Sequence, residues 1–578
     1  MACRLYLCRA LSLALLALVP TLAAAQAKRS VSLSSVKVKT PRTSKNVPLR
    51  ILVTVDKDFA KTKAVKVTVP GGELIPGQLS RLGLINRVKA KSSKGLAREL
   101  HVVLPKTVAG QTLEIGVRYD TKEPHFPSFA WGKSNGKYRQ LSFHDRPVLR
   151  YMHEKLNEKT KEDRFRTYKV FHHLFDPSGK RLVTKGAGGL FPHHRGLFYG
   201  FNRISYGKNQ NADVWHCNRG ESQQHAEFLS SSAGPVMGRH CVVVNWHGRD
   251  GKPFAVEERE YTVYDVKGGQ MVEFASQLRS LVGKVKLDGD PQHAGFQFRA
   301  SQDVPDKTAK LTYYLRPDGK DKPGSYRNWS HRGSKKFKNL PWNAMSIVLD
   351  EKRYTACYLD HPANPKEARY SERNYGRFGS YFEYELDTKK PLTINYRLWF
   401  QKGEMTVKQV QGLSEDFVKS SSLREVAAKA GPKKLKKVQL VAGGVKELDT
   451  LLAKNRGSVV LVDFWATWCA PCVKHFPKTV ALSDQLTSKG LRVISVSIDD
   501  LGSKKAALKF LKKQNATFPN LISKASGFDA FKLSGLPLYR LYDRKGILRY
   551  EFSSLKKPQF EKIKAIPQRV IQLLQERE

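Results

Sequence analysis

Cys469 and Cys472, set in Trp468-Cys469-Ala470-Pro471-Cys472, carry the clearest chemistry in this 578-residue chain. They follow the apolar run Val459-Val460-Leu461-Val462-Asp463-Phe464-Trp465, which has the length and composition of a buried strand. A Cys-x-x-Cys between a strand and a helix can cycle between dithiol and disulfide. At a helix start, unpaired N–H groups and the positive end of the helix dipole favour thiolate at Cys469. Pro471 suits the first turn, because the N–H it lacks has no intrahelical partner to lose. Cys472 then comes one turn along, within reach of a mixed disulfide formed at Cys469. A structural zinc site would need four ligands, and the sequence holds no second Cys-x-x-Cys to complete one.

A second constellation lies near the middle of the chain: His193, His194, His216, His293 and His361, with Arg195, Asp213 and Asp360. Imidazoles can ligate a transition metal or shuttle protons near neutral pH. On a strand, His193 and His194 would face opposite sides. In a loop after Pro192 both could converge. Three readings stay open: hydrogen-bonded histidines at turns, a carbohydrate or other polyol site, and a metal site. A sugar site would turn Trp215 or Trp342 toward a cavity, with Arg195 and Asp213 nearby. The segment Arg369 to Arg377, dense in donors and aromatics, could line such a cleft, although a solvated turn fits it as well.

The elements that must position these groups fall into distinct regions. Around the cysteines, the pattern predicts helix (Val445 to Lys454), strand (Val459 to Trp465), helix (Cys472 to Leu486), strand (Leu491 to Ile498) and helix (Lys504 to Gln514). A hairpin about Asp543-Arg544-Lys545-Gly546 and a C-terminal helix from about Pro558 complete an α/β unit over 441–578. Residues 413–440 read as a helical or loose connector, stopped by Gly431-Pro432 and followed by a lysine run. Residues 121–412 are rich in strands, among them Val263 to Val272, Tyr354 to Leu359, Tyr381 to Leu386 and Leu392 to Phe400, and predict a large antiparallel β-sandwich. Residues 26–120 predict a small β-sandwich with strands near 50–55, 64–69, 101–104 and 113–117, broken at Pro70-Gly71-Gly72 and Pro76-Gly77. Residues 1–25, with Arg4 and Arg9 before the apolar run Leu11 to Val19 and then Ala23-Ala24-Ala25, read as a secretory signal peptide cleaved near Ala25.

Two resemblances add to this. From about Val441 onward the chain resembles the thioredoxin fold of bacterial extracytoplasmic thiol-disulfide oxidoreductases. The resemblance implies that Asp463 is the buried acid serving the second cysteine, that Pro477 kinks the active-site helix, and that Gly535-Leu536-Pro537 is the cis-proline loop facing the disulfide. Trp468 and Leu536 would then meet the partner chain. Those relatives often carry an acidic residue just before the kink, where this chain has Lys474-His475-Phe476. The central region resembles a bacterial family of exported proteins known as PmoA-type, through Phe191 to Phe198, Asp213-Val214-Trp215-His216 and Asp290 to Gly295. That label carries no activity with it. The sheet-rich pattern is similar to supersandwich folds that handle sugars.

The whole composition narrows the classes. Hydrophobic residues make up 40%, enough for packed cores, and roughly three or four domains are expected at this length. A formal net charge of +49, spread along the chain without a nucleic-acid-binding motif, predicts weak attraction to anionic polymers and no specific nucleic acid. After signal removal five cysteines remain, and Cys217, Cys241 and Cys357 read as buried apolar residues, with a Cys217–Cys241 bridge as the alternative. No later segment is long and apolar enough to span a bilayer. The expected protein is therefore an exported, periplasmic or extracellular, enzyme exchanging disulfides with protein thiols. It would need no cofactor beyond the Cys469–Cys472 disulfide and no metal. The alternatives are a ligand-binding β protein with an accessory thioredoxin-like domain, and a peroxidase, whose usual Thr-x-x-x-Cys pocket is missing around Trp468-Cys469.

Overall fold

The computed structural model describes residues 31–420 and 438–576, apart from 41–42, 56–61, 71–72, 88–95, 121–125, 330–336, 525–526 and 556–557. The signal-peptide segment 1–25 and most of the connector thus lie outside the described residues.

Six N-terminal strands form one antiparallel sheet in the order Val31–Lys39, Thr112–Asp120, Ala64–Thr68, Leu74–Ser80, Leu96–Thr107, Ser44–Val55. Ser44–Val55 alternates buried and part-buried positions along most of its length, as a half-buried strand should. The inward residues, Val36, Ile51, Val65, Leu100 and Ile115 among them, gather in one cluster. Pro76-Gly77, expected as a break, lies inside a strand, because Ala64–Thr68 and Leu96–Thr107 hold Leu74–Ser80 on both sides. The small sandwich expected here is, among the described residues, one continuous hydrogen-bonded sheet.

The central region carries two large antiparallel sheets and a small four-stranded one. The eight-stranded sheet runs from Arg369–Arg373 through Arg377–Tyr381, Ala294–Arg299, Leu197–Phe201 and Phe171–Leu174 toward Phe129–Trp131. The nine-stranded sheet runs from Ser222–Ala233 to Gly319–Lys320 and includes Pro253–Val266, Gly269–Ser280 and Leu392–Lys402. Both large sheets feed one apolar core, in which Phe274 of one stacks on Phe296 of the other at 4.2 Å. The segment Val263 to Val272 is a hairpin rather than one strand, turning at Lys267-Gly268 where Gly268 has φ 99°. Likewise Tyr381 to Leu386 divides between Arg377–Tyr381 and Tyr384–Leu386.

The helix Val407–Ser420 packs Val410 and Phe417 against Trp342, Cys357 and Leu359. Residues 413–420, expected in the connector, therefore belong to the central region. Its amphipathic face finds cover on the nine-stranded sheet, which no local pattern announces.

In the C-terminal unit the sheet order is Val441–Gly443, Asn520–Ser523, Leu491–Ser497, Val459–Trp465, Leu538–Tyr542, Leu548–Ser553, Glu561–Lys562. Every residue of Val459–Trp465 is buried, as suits a central strand covered on both faces. The helices Val445–Lys454, Ala470–Leu486 and Lys504–Gln514 occupy the expected places. The last helix is Ile566–Gln575, later than expected, because Glu561–Lys562 first adds a short strand beside Leu548–Ser553.

Buried ion pairs join the N-terminal sheet to the nine-stranded one. Arg50 and Arg397 both meet Glu273, at 3.2 and 2.5 Å, and Arg239 meets Glu99 at 2.7 Å. Burial alone would push Glu273 up, but the two guanidinium groups outweigh it and hold the carboxyl at about 2.

Candidate functional site

Cys469 and Cys472 form a disulfide at the start of the helix Ala470–Leu486. Cys469 is the N-cap, and its Sγ accepts from the Cys472 backbone N–H at 3.3 Å. The pair follows the C-terminal end of Val459–Trp465, which lies between parallel Leu491–Ser497 and antiparallel Leu538–Tyr542. Ligand and reaction sites of open α/β sheets lie outside such strand ends. Cys469 is 6% exposed and Cys472 1%, while Trp468 beside them is 62% exposed, its ring 6.3 Å from Phe528. The bond between Leu536 and Pro537 is cis. Leu536 packs on the cluster that contains both cysteines, and the Pro537 carbonyl accepts from the Ser553 hydroxyl at 2.8 Å.

Asp463 is buried in the same strand, and the Thr479 hydroxyl from the active-site helix donates to its Oδ2 at 2.6 Å. Burial raises its carboxyl to about 7, the Thr479 bond opposing only in part. Oδ1 has no hydrogen-bond partner. A buried carboxyl poised near neutrality can hold or release a proton in this domain. Two supports were missed from the sequence. Asp499 accepts from the Thr467 amide (3.0 and 3.1 Å), the Thr467 hydroxyl (2.6 Å) and the Ser497 hydroxyl (2.6 Å), which fixes the loop carrying Trp468. The signal for it was an acid just past an apolar strand, Asp499 after Leu491–Ser497. Thr479 offers no sequence signal at all.

Four of the five candidate histidines converge. His193, His194, His216 and His293 have ring centroids 4.4–5.3 Å apart across five contacts. His193 and His194 sit in a turn closed by the His194 N–H to the Phe191 carbonyl, 3.0 Å, so adjacent residues reach one place. The turn is held by Gly196, at φ 36°, where a Cβ would stand 2.1 Å from the His172 carbonyl oxygen. Gly295 does the same beside His293, with φ 82° and a Cβ position 1.9 Å from the Ser380 carbonyl oxygen.

A repeated four-residue device orients two of these rings. Asp213 Oδ1 accepts from the amides of Trp215 and His216, and its Oδ2 holds His216 Nδ1 at 2.7 Å. Asp290 Oδ1 accepts from the Gln292 amide and meets His293 Nδ1 at 2.9 Å. Asp290 was not singled out from sequence, although Asp-x-x-His occurs at both places and was the available signal. Burial would raise the Asp290 carboxyl, but its bonds to His293, Gln292 and Asn202 hold it far below the usual range. Burial, then the neighbouring His216, pushes His193 down to about 2, and burial also lowers His194 and His293. These three rings are neutral near pH 7.

Other expected members stand apart. His361 packs edge-on against Phe417 at 5.3 Å and makes no ring contact with the four. Arg195, 1% exposed, turns its guanidinium to the carbonyls of Phe165, Arg166 and Pro192 and lies 4.5 Å over Tyr168. It braces the turn rather than facing a ligand. Asp360 is taken by Asn364 and Lys366. Trp215 is 1% exposed and Trp342 fully buried beside Gln411, so neither offers a face for a sugar to stack on. Cys217, Cys241 and Cys357 are free and buried, which removes the Cys217–Cys241 bridge.

Residues 139–415 match a family of unknown function (DUF6807), and residues 430–565 match the Redoxin family. The first match carries neither an activity nor the PmoA-type label. The thiol-disulfide oxidoreductase ResA of Bacillus subtilis is 31% identical over 96 residues, covering 16% of this chain and 52% of that protein. The thioredoxin-like protein YneN of the same organism is 32% identical over 99 residues, covering 17% and 58%. The chain thus spans about half the length of the curated relatives it matches. A solved thiol:disulfide interchange protein of the thioredoxin family from Chlorobium tepidum is similar at 22% identity, covering 21% of this chain and 83% of that one, with a TM-score of 0.18. The C-terminal region is a thioredoxin-like domain with homologues among thiol-disulfide oxidoreductases, carried beside large antiparallel β-sheets. No helix among the described residues is long and apolar enough to cross a membrane.

Proposed function

We propose that this protein is an exported thiol-disulfide oxidoreductase that exchanges disulfides with other proteins through Cys469 and Cys472. The observation that carries the reading is the paired cysteines at a helix N-terminus, with the buried carboxyl of Asp463 in the adjoining strand. In the reduced form, Cys469 thiolate attacks a partner disulfide, one partner sulfur leaves as thiolate, and a mixed disulfide forms. Cys472 gives its proton toward Asp463 and attacks the Cys469 sulfur. The second partner sulfur leaves, and the Cys469–Cys472 disulfide re-forms. The reverse sequence oxidises a partner dithiol with the same atoms. Exposed Trp468 and the Leu536-Pro537 loop offer the apolar and backbone surface on which a partner strand would lie.

Dithiothreitol-driven insulin reduction tests the exchange. Cys469→Ser should abolish it, and Cys472→Ser should accumulate mixed disulfides with partners that a reductant releases. Limiting iodoacetamide should label Cys469 first in the reduced protein. Preferential labelling of Cys472 would reverse the two roles, and full activity in Cys469→Ser would end the proposal. Export is tested by the N-terminus of the secreted protein, expected at Gln26.

A further inference from the structure

We propose that His193, His216 and His293 form a binding site for one divalent first-row transition metal ion, separate from the cysteine pair. One ring nitrogen from each lies within 4.8 Å of the other two. A tetrahedral ion with nitrogen ligands at about 2.0–2.1 Å sets those ligands roughly 3.3 Å apart. Binding would have to close that difference by movement of the rings and of the turns that carry them.

Which nitrogens face the ion follows from the hydrogen bonds. Nδ1 of His216 is held by Asp213 and Nδ1 of His293 by Asp290, and a carboxylate accepts only, so both rings carry their proton on Nδ1. The lone pair of each is then on Nε2. Carboxylate–histidine pairs of this kind orient metal ligands and raise their basicity. The third ring, His193, has its Nε2 buried without any hydrogen-bond partner, a cost that a metal bond would remove. Another buried pair differs in its orientation: Nε2 of His172 and Nε2 of His240 lie 2.9 Å apart and bond each other, while their Nδ1 atoms are without a hydrogen-bond partner, so no carboxylate orients either ring.

The donor set selects the ion. Three imidazoles without a thiolate suit zinc, copper, nickel or iron and suit calcium or magnesium poorly. Three protein ligands also leave a coordination position open. The three residues are each partly exposed, although His193 Nε2 itself is buried. This proposal departs from the sequence-based expectation of no metal.

The test uses the full oxidised chain, whose Cys469–Cys472 disulfide leaves no reactive thiol pair to compete, stripped with chelator and titrated with zinc by calorimetry. One equivalent should bind. His216→Ala and His293→Ala should each weaken binding by about 100-fold or more, and Asp290→Asn by about 10- to 100-fold. His361→Ala should bind as the parent does. Cobalt substitution of the unaltered chain should give the visible absorption of a four- or five-coordinate nitrogen and oxygen site, which needs no variant to fold. Absence of stoichiometric zinc binding, unchanged affinity in a folded His216→Ala/His293→Ala double variant, or a six-coordinate or sulfur-bound cobalt spectrum would each overturn the proposal.

Discussion

At the scale of single residues, Asp463 makes the sharpest claim. Its carboxyl rises from an ordinary 3.8 to about 7 on folding, because burial disfavours the charge more than Thr479 compensates. A group raised in this way stabilises the fold fully below its unfolded value, and that contribution is lost as pH climbs through the folded value. The loss between about pH 4 and 7 amounts to roughly 4 kcal/mol. Asp463→Asn should therefore flatten the pH dependence of thermal unfolding across that window and raise the melting temperature near pH 7. It should also slow resolution by Cys472 and erase an inflection near pH 7 in the exchange rate. A variant whose stability curve matches the parent's would show that the carboxyl is ionised throughout.

At the scale of elements, turns do the positioning. The histidine cluster depends on the turn from Phe191 to Arg195, and that turn depends on Gly196. Gly196→Ala places a methyl 2.1 Å from the His172 carbonyl oxygen at φ 36°, so the turn must move. The expected cost is about 2 kcal/mol or more, read as a lower melting temperature of the central region. In the C-terminal unit, Asp499 has the comparable task. Asp499→Ala removes its hydrogen bonds to Thr467 and Ser497 and should loosen the loop before Cys469. Trp468 fluorescence anisotropy should fall and exchange should slow, while the fold persists.

At the scale of the molecule, two features govern behaviour. Glu273 ties the N-terminal sheet to the central one through Arg50 and Arg397. Its folded value, held at about 2 against an ordinary 4.5, contributes stability above pH 4.5 that is lost as pH falls toward 2. Glu273→Gln leaves two buried guanidinium groups poorly compensated and should cost about 3–5 kcal/mol, read by denaturant unfolding at pH 7. The second feature is the net charge of +49. Binding to heparin resin should be strong at low salt and should collapse as ionic strength passes a few tenths molar, since screening over about 10 Å or less removes a diffuse attraction. Retention that survives molar salt would point instead to a specific anionic ligand.

The sequence by itself determined the central elements of the C-terminal unit, though not the short strands Val441–Gly443, Asn520–Ser523 and Glu561–Lys562 or the start of the last helix. An apolar seven-residue run, a Cys-x-x-Cys after it and a strong helix–strand alternation are local signals, and strand Val459–Trp465 and helices Val445–Lys454 and Lys504–Gln514 follow them. Partners supplied by distant segments were hidden, because nothing local announces that Thr479 will reach Asp463 or that Asp499 will hold Thr467. The central region divides the same way. Its strands and its histidines could be read, but convergence could not: His193, His216 and His293 lie far apart along the chain and meet where turns of the central β-sheets come together, while His361, equally plausible in sequence, ends against Phe417. Periodicity reports which face of an element is buried, and only tertiary packing decides which loops share a cavity.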